Sequence, residues 1–440
     1  MDDRELIRLP EAFLRRVEAQ LGNELPSFLC AMDEPPLRGL RMNPFRAGGD
    51  SPFRDAKRAV AWTENAWEIP LESQAGITAA HEAGAFYLQE PCAMIPASVM
   101  AAQPGERILD LCAAPGGKST QMGLAMKGEG LLVCNDPVPQ RAAVLSRNVE
   151  RMGIPHAAVT CAYPEKLAER WQETFDGVLV DAPCSGEGMF RRHPETRLEW
   201  SADKAEGCAA RQKGILKAAA EMVRPGGRLV YSTCTWNPAE NEDQIMDFLQ
   251  SHPDFEPAPF SLPGVEAPEG MYTCWLHRNR GEGQFIALLR SRRAGGSPRE
   301  LRGAERFRPG REEMKIWKES GIRTEEPNAG MGQLLTRIGP IPDLEGISVL
   351  RLGLHLATVR GKNLIPDHAA AMAIHPPAMP AAELSDGDAL RYLAGEAISG
   401  DMRGWGLMSW RGLILGWGKG SGGLIRNHYP KGLRNGKLIV

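Results

Sequence analysis

The sequence predicts a doubly wound α/β fold, in which helices cover both faces of a mostly parallel sheet. Short apolar runs such as residues 175–180 (Phe-Asp-Gly-Val-Leu-Val) have the composition of buried parallel strands. Runs of this kind alternate with longer helical segments between about residues 100 and 292. Two of them end in polar, glycine-rich turns, and open α/β sheets place their ligands at that edge.

The first hundred residues predict a smaller extension that contains helices and strands. Pro10 opens a helix whose apolar residues share one face, and Gly22 closes it. Residues 37–44 indicate a short basic strand followed by a turn. A further helix is expected at about 92–102, at the start of the α/β segment.

The central segment alternates strands with helices. A strand starts at Arg107 and runs through a glycine-rich turn into a helix, and residues 131–136 form the next strand. The further strands that we expect are 157–162, 175–181, 227–234 and 284–291, and the helices are 138–152, 205–223 and 238–250. Because helices separate most of the strands, the sheet is expected to be parallel over most of its width.

The turn at residues 110–118 (Asp-Leu-Cys-Ala-Ala-Pro-Gly-Gly-Lys) has the composition of a ligand-binding loop. Its glycines let the backbone approach a ligand, and the following helix offers free N–H groups. Residues 117–119 match the tail of a triphosphate-binding loop, but Cys112 stands where that loop requires its first glycine. An adenosyl cofactor fits better, because Asp136 ends the next strand, where an acidic residue holds ribose hydroxyls.

Two cysteines follow strands at the same predicted edge. Cys184 lies in Asp-Ala-Pro-Cys-Ser-Gly-Glu-Gly (181–188), and Cys234 lies in Ser-Thr-Cys-Thr (232–235). Cysteine often serves as a small buried hydrophobe. Packing does not require a thiol beside a polar turn, however, so a chemical role is the better interpretation. We therefore expect both thiols and the Asp181 carboxylate to meet above one sheet.

Charge is distributed unevenly along the chain. The net charge is −3, but residues 291–440 contain 22 Lys and Arg against 15 Asp and Glu, a balance of +7, and residues 1–290 carry −10. This asymmetry indicates a polyanion-binding segment, although a solvated basic face has the same composition. The basic residues that we expect to contact phosphates are Lys419, Arg426, Lys431, Arg434 and Lys437. The aromatic residues Trp405, Trp410, Trp417 and Tyr429 are expected to be core residues rather than stacking platforms.

Four motifs carry a resemblance to a known family. They are residues 110–118, 135–137 (Asn-Asp-Pro), 181–188 and 232–235. Between residue 87 and about residue 290, the chain resembles the NSUN (Nop/Sun) family of RNA 5-methylcytosine methyltransferases. Residues 350–355 (Leu-Arg-Leu-Gly-Leu-His) and the glycine-rich tail at 415–432 are similar to the C-terminal modules of RsmF-type ribosomal RNA methyltransferases.

The resemblance implies the domain organisation. A Rossmann-like class I methyltransferase domain with a doubly wound, mostly parallel, seven-stranded sheet is expected at 100–292. An α+β extension that binds RNA or supports the domain precedes it at 1–99. A first C-terminal α+β domain is expected at 293–374, and a PUA-like RNA-binding domain at 375–440.

The resemblance also implies a role for individual residues. Cys234 is expected to be the nucleophile and Cys184 to help release the product, while Asp181 lies at both the cofactor and the base. The residues expected to bind S-adenosyl-L-methionine are Cys112, Ala113, Ala114, Pro115, Gly116, Gly117, Lys118, Asp136 and Asp181. The family often has an acidic residue near the adenine after the third strand, whereas residues 161–164 (Cys-Ala-Tyr-Pro) offer none.

The implied reaction requires a thiolate. Carbon 5 of cytosine is a weak nucleophile until a thiolate adds to carbon 6. A free cysteine has a pKa of about 8.5, so the anion needs support. We expect the helix that starts near Pro238, with Asn237 as its cap, to direct its positive end toward Cys234.

Composition argues against several other classes of protein, namely membrane, secreted, disulfide-rich and metal-binding proteins. No apolar run is long enough to span a membrane and the charged residues 1–5 are no signal peptide, so a cytoplasmic protein is expected. Nine cysteines without Cys-x-x-Cys or paired histidine spacing indicate neither a disulfide framework nor a metal site. The expected partner is RNA, namely ribosomal RNA, including RNA within the small subunit. We expect a monomer with no metal and no membrane contact.

Three alternatives stay open. The same chemistry on transfer RNA is excluded only by the resemblance of the tail. A non-catalytic ribosome-assembly protein would keep the fold without turnover, although both thiols and the complete glycine-rich loop argue against it. In DNA cytosine methyltransferases the Pro-Cys thiol attacks, which would make Cys184 the nucleophile.

We also expect deletion of 375–440 to leave cofactor binding intact and to weaken RNA binding.

Overall fold

The computed structural model describes residues 8–46, 58–295, 301, 307–320, 326–373, 375–376 and 378–440. The charged start at residues 1–5 lies outside these ranges. Across the described ranges, no helix is both long and apolar enough to cross a membrane.

The N-terminal unit is a helical pair followed by a small antiparallel sheet. Its elements are α1 (Glu11–Leu21), α2 (Leu25–Met32), β1 (Arg38–Met42), β2 (Arg58–Ala59), β3 (Ala66–Ile69), α3 (Ala79–Glu82) and β4 (Phe86–Leu88). The strand order is β2-β3-β1-β4. Helix α1 forms as predicted, because Phe13 and Val17 share a buried face and Gly22 takes a left-handed φ of 52° at its end.

The central unit contains the predicted alternation. Its elements are α4 (Ile95–Met100), β5 (Arg107–Asp110), α5 (Gly117–Ala125), β6 (Leu131–Asn135), α6 (Pro139–Arg151), β7 (Ala157–Cys161), α7 (Pro164–Ala168), β8 (Phe175–Asp181), α8 (Thr196–Glu199), α9 (Ala202–Met222), β9 (Val223–Thr233), α10 (Glu242–Ser251), β10 (Phe255–Pro257), β11 (Phe260–Leu262), β12 (Val265–Ala267), β13 (Met271–Cys274) and β14 (Gln284–Ser291). Each strand predicted in this segment is confirmed to within a few residues.

The C-terminal part is mostly antiparallel. Its elements are α11 (Arg311–Glu319), β15 (Ala329–Met331), β16 (Leu334–Arg337), β17 (Ser348–Leu352), β18 (Leu354–Arg360), β19 (Asn363–Pro366), α12 (His368–Met372), β20 (Ala381–Glu383), α13 (Asp386–Ala394), β21 (Ile398–Ser399), β22 (Gly404–Trp410), β23 (Leu413–Ser421) and β24 (Leu424–Asn427). Strands β15, β16, β18 and β19 form one sheet, and the last five strands form another in the order β20-β22-β23-β24-β21.

The central sheet is Rossmann-like but has nine strands rather than the seven expected. The order is β10-β14-β9-β8-β5-β6-β7-β17, with β13 also paired to β14. The five strands from β9 to β7 are parallel, and β14 and β17 add antiparallel edges. Six of the nine are the strands given individually from the sequence; of the other three, β10 and β13 are short, and β17 comes from the segment assigned to the first C-terminal domain.

Both faces of this sheet are buried. Leu109 and Val133 pack on one face, and Ile108 and Leu132 pack on the other, each fully buried. Apolar residues at consecutive positions are therefore needed on each strand, which accounts for the uninterrupted apolar runs in the sequence. The carboxyl ends of the parallel strands lie together at one edge of this sheet.

The C-terminal sheet packs against the N-terminal unit. Tyr392, Trp410 and Tyr429 share one apolar cluster with Leu40 and Phe86. Backbone hydrogen bonds extend the contact, because the Ala79 N–H donates to the Ile439 carbonyl (2.8 Å) and the Ile439 N–H donates to the Ile77 carbonyl (2.9 Å). The two ends of the described chain therefore form one continuous core.

Candidate active site

The two predicted thiols meet at the carboxyl edge of the central sheet. Strands β8 and β9 are neighbours, with Asp181 opposite Ser232, so the loops that follow them leave the sheet side by side. The sulfur atoms of Cys184 and Cys234 are 3.3 Å apart, and both cysteines are free and partly exposed. The expectation that two thiols and a carboxylate converge here is confirmed.

The contact between the sulfurs sets the protonation of Cys184. The hydrogen bond with Cys234, together with burial, raises the pKa of the Cys184 thiol well above its usual range. Cys184 therefore remains the neutral thiol at neutral pH as long as Cys234 lies beside it.

Asp181 is held between two donors. Lys118 Nζ lies 2.8 Å from one carboxylate oxygen, and the Ser232 hydroxyl donates to the other at 2.7 Å. Burial alone would lower the pKa of the Lys118 ammonium, but the Asp181 carboxylate more than offsets this and raises it. The sequence had placed Lys118 only in the cofactor loop. Its ammonium in fact joins that loop to the thiol-bearing edge.

The glycine-rich loop wraps the end of β5 and leads into α5, as expected. Gly116 has φ 111°, and a Cβ at Gly117 would lie 3.2 Å from the Gln89 side chain, so both positions favour glycine. The Ala113 N–H donates to the Asn135 carbonyl at 2.8 Å, which fixes the loop to β6. The first N–H groups of α5 therefore face the same edge as the thiols.

A buried carboxylate that the sequence did not single out lies beneath this loop. Asp110 is fully buried and accepts a hydrogen bond from the Ser119 hydroxyl at 2.6 Å. Its other oxygen has no hydrogen-bond partner among the described residues. Burial raises the pKa of Asp110 to about 7.

Asp136 occupies the predicted position but does not face an open cleft. Its side chain is only 1% exposed, and its oxygens are held by the Val138 N–H (3.0 Å) and by Arg141 (3.3 Å). Arg141 also donates to the Ala114 carbonyl at 3.1 Å. Asp136 thus lies at the end of the predicted strand, but the Arg141 side chain covers its carboxylate.

A buried glutamate joins the two thiol loops from below. The Glu240 carboxylate accepts from the Ser185 N–H (2.8 Å), from the Ser185 hydroxyl and from Gln212 Nε2 (3.0 Å). The Ser185 and Thr235 hydroxyls lie 2.9 Å apart. Burial raises the pKa of Glu240. The residues next to both cysteines are thus held by one polar network, which the sequence did not indicate.

The expected helix near Cys234 begins later than predicted. Asn237 does act as a cap, since its side chain accepts from the Ala239 N–H at 3.1 Å. The turn that it caps, however, is a single 3₁₀ turn at Pro238–Glu240, and α10 starts at Glu242. A full helix dipole directed at Cys234 from Pro238 is therefore not present.

The aromatic residues of the C-terminal sheet separate into core and surface. Trp410, Trp417 and Tyr429 are buried, as expected. Trp405 is partly exposed instead, with the His428 ring at 4.3 Å between centroids and Lys419 Nζ 5.1 Å from its centroid. Lys419 is paired with Trp405 on β22 and with Arg426 on β24. These side chains therefore line one face of the sheet. The other predicted phosphate contacts, Lys431, Arg434 and Lys437, are all exposed.

Three family models match separate parts of the chain. Residues 97–290 match the model of the 16S rRNA methyltransferases RsmB/F. Residues 9–91 match the N-terminal domain of 16S rRNA methyltransferase RsmF, and residues 380–435 match the methyltransferase RsmF PUA domain.

Curated proteins match over almost the full length. Ribosomal RNA small subunit methyltransferase F from Citrobacter koseri is 31% identical, and its counterpart from Escherichia coli K12 is 30% identical. Each alignment covers 99% of this chain and 98% of the relative.

Solved structures agree on the fold. A methyltransferase homolog from Pyrococcus horikoshii has a TM-score of 0.56 at 26% identity, covering 66% of this chain and 98% of that one. Pyrococcus horikoshii NSun6 has a TM-score of 0.54 at 20% identity, covering 65% and 99%.

Proposed function

Because this chain belongs to the RsmF family of 16S rRNA methyltransferases, we propose that it transfers a methyl group from S-adenosyl-L-methionine to carbon 5 of a cytosine in 16S ribosomal RNA. The observation that carries the proposal is the pair of thiols in contact beside the Asp181–Lys118 pair. Methylation at carbon 5 needs both a nucleophile and a second group that helps to release it, and the two thiols supply them.

In the proposed reaction, Cys234 is the nucleophile. Its thiol first gives its proton to solvent, and the sulfur then bonds to carbon 6. The electron pair of the 5,6 double bond makes carbon 5 nucleophilic enough to take the methyl group. The bound cofactor supplies that methyl group as an electrophile. The carbon 5 proton then leaves, the double bond re-forms, and Cys234 departs as a thiolate.

Cys184 is suited to the release step. The main cause of its raised pKa is the hydrogen bond with Cys234. That hydrogen bond is lost once the Cys234 sulfur is bonded to carbon 6, so the Cys184 proton is more easily given to solvent. The resulting thiolate can take the carbon 5 proton.

Asp181 and Lys118 are proposed to contact the base. Asp181 is partly exposed and already fixed by Lys118 and Ser232, so it can face the ring at nitrogen 3 without reorganisation. The Lys118 ammonium would offset negative charge that develops on the ring during attack.

Residues 112–118 and Asp136 are proposed to hold the cofactor. Burial raises the pKa of Cys112, and the nearby carboxylates of Asp110, Asp181 and Asp136 add to this effect. Carboxylates close to this loop suit the cationic sulfonium of S-adenosyl-L-methionine. Asp136 can reach the ribose hydroxyls once Arg141, whose side chain is about half exposed, moves away from it. The exposed Tyr163 ring beyond β7 is available for stacking on the adenine.

The surface formed by Trp405, Lys419, Arg426 and His428 supports RNA as the partner. Exposed cations bind phosphates with little sequence information, and a partly exposed aromatic ring can stack on an unpaired base. The target cytosine has to reach the thiols, so it must be unpaired or flipped out of its helix.

Methyl transfer by the purified protein tests the proposal. The protein is incubated with radiolabelled cofactor and, separately, with naked 16S RNA, small subunits and transfer RNA. We expect label in 16S RNA or small subunits and a single class of bisulfite-resistant cytosines, with none for Cys234→Ala. Label found only in transfer RNA would mean that transfer RNA, rather than 16S RNA, is the substrate. No label in any RNA would favour a non-catalytic assembly protein.

A further inference from the structure

An ion pair links the N-terminal helix α1 to the loop that carries Cys184. Arg16 Nη2 lies 2.6 Å from Glu187 Oε1, and Glu187 follows Cys184 by three residues. The Glu187 side chain is completely buried, while 23% of the Arg16 side chain is exposed. Of the described cations, Arg16 is the one that pairs with this carboxylate.

The same two residues also hold the loop that carries Cys234. The Trp236 N–H donates to Glu187 Oε2 at 3.2 Å, and Arg16 Nη1 donates to the Trp236 carbonyl at 2.9 Å. Gln20, one turn further along α1, donates to that carbonyl as well, at 3.1 Å. Both polar groups of the Trp236 backbone are therefore bound by the Arg16–Glu187 pair and its helix.

The two loops have no room to slide past each other. The Gly188 N–H donates to the Cys234 carbonyl at 2.9 Å, and a Cβ at residue 188 would lie 2.5 Å from the Gly283 carbonyl oxygen. An apolar cluster lies against the ion pair on the side of the buried Glu187 carboxylate. The large members of this cluster are Phe13, Phe28, Phe190, Trp236 and Trp275.

We infer that Arg16 and Glu187 are positioning residues that hold the Cys184 and Cys234 loops in the register at which their sulfurs touch. The N-terminal unit thus supports the catalytic step itself, in addition to any contact with RNA. A charge pair buried in this way is held rigidly, because its loss would leave an unpaired ion in an apolar environment. The inference rests on the proposed function for its effect on methyl transfer, but its effect on the thiols does not depend on that function.

The first readout is the effective concentration of one thiol at the other. The full-length protein is equilibrated with reduced and oxidised glutathione, which exchanges with the two thiols to give a Cys184–Cys234 disulfide and reduced glutathione. The ratio at equilibrium gives the effective concentration. We expect it to fall at least 10-fold in Arg16→Gln and in Glu187→Gln, and less in Arg16→Lys, which keeps the charge. A lower overall stability alone would not change this ratio in protein that remains folded.

The second readout is methyl transfer. We expect kcat to fall at least 10-fold in Arg16→Gln and Glu187→Gln, with KM for the cofactor within about threefold, because residues 112–118 do not contact the ion pair. Arg15→Gln is the matched control: Arg15 lies on the same helix but is largely exposed, and its ionic partner is the exposed Glu11. It should behave as the unmodified protein in both readouts.

The outcomes distinguish the positioning role of Arg16 and Glu187 from the proposed function. If the effective concentration and kcat both stay within twofold in Arg16→Gln and Glu187→Gln, the positioning role is wrong. If Arg16→Gln does not fold, the isosteric Glu187→Gln decides by the same criteria. If the effective concentration falls but the unmodified protein methylates no RNA, the positioning role stands and the proposed function fails.

Discussion

The sulfur atoms of Cys184 and Cys234 have different surroundings, although each follows the end of a strand. The loop that carries Cys184 is held by the hydrogen bond between the Ser185 N–H and the Glu240 carboxylate. The pKa of the Cys184 thiol is raised by its contact with Cys234. Cys234 lies next to Thr235, which contacts the same network. This asymmetry makes the two substitutions at these positions informative.

Replacing Cys184 should trap the reaction before product release. Cys184→Ala keeps the nucleophile, so we expect it to methylate its RNA once and then to accumulate a protein–RNA adduct that survives denaturing gels. Cys234→Ala should give neither methylation nor adduct, because the first bond cannot form. An adduct from Cys234→Ala and none from Cys184→Ala would reverse the assignment of the two thiols.

Asp110 should make stability fall as pH rises. Its pKa is raised from 3.8 to about 7 by folding, so its contribution to stability is complete below pH 4 and is lost as pH rises toward and through 7. In the absence of cofactor, Asp110→Asn should gain roughly 2–3 kcal/mol relative to the unmodified protein between pH 5 and pH 8. Urea unfolding at both pH values measures this. An equal difference at pH 5 and pH 8 would contradict it.

Asp136 should contribute to cofactor binding without supporting the fold. Its ionic partner, Arg141, has a half-exposed side chain, so removing the carboxylate leaves no buried unpaired charge. Asp136→Asn should therefore weaken binding of S-adenosyl-L-methionine about 10-fold or more in calorimetry, with little change in the midpoint of thermal unfolding. Unchanged affinity would mean that Arg141 stays on this residue in the complex.

At the scale of elements, the sequence predicted those features that depend on local sequence pattern. Strands such as β6 and β8 were predicted because their apolar runs are long, and the thiols and Asp181 were placed together because adjacent parallel strands end at one edge. The bracing by Arg16, Glu240 and Arg141 was missed, because those contacts join residues that are distant in sequence. Only the packed fold brings such residues together.

Strand β17 joins two segments that the sequence had divided. It pairs antiparallel with β7, and Leu352 on it is fully buried. Leu352→Ala should cost about 2–4 kcal/mol and should lower the unfolding midpoint of the whole central sheet in one transition. Ser348→Ala, at an exposed position of the same strand, is the control. Two separate transitions, with only one of them shifted, would show that the segment after residue 293 unfolds independently.

At the scale of the whole molecule, the C-terminal sheet is a structural partner of the N-terminal unit as well as the proposed RNA surface. Deletion of 375–440 was expected to leave cofactor binding intact. The deletion would also remove Tyr392, Trp410 and Tyr429 from Leu40 and Phe86, which uncovers an apolar surface on the N-terminal unit. We now expect the truncated protein to aggregate. Its loss of RNA binding would therefore not identify the phosphate contacts.

Point substitutions identify those contacts instead. Lys419→Ala combined with Arg426→Ala should reduce the slope of log K against log salt by about 1.4 for single-stranded RNA, at about 0.7 per lost phosphate contact. Cofactor affinity should not change. Arg391→Ala is the control, because Arg391 is an exposed cation in the same unit that pairs with Glu396. An unchanged slope in the double variant would mean that this face does not contact phosphates.

The backbone pairing of Ile439 with Ile77 and Ala79 also has a consequence during synthesis. The segment around residues 77–79 leaves the ribosome long before Ile439, which pairs with it, has been translated. The N-terminal unit must therefore wait, with part of its apolar surface uncovered, while the residues in between are made. A premature stop codon a few codons before position 439 would thus damage a part of the protein that was translated much earlier.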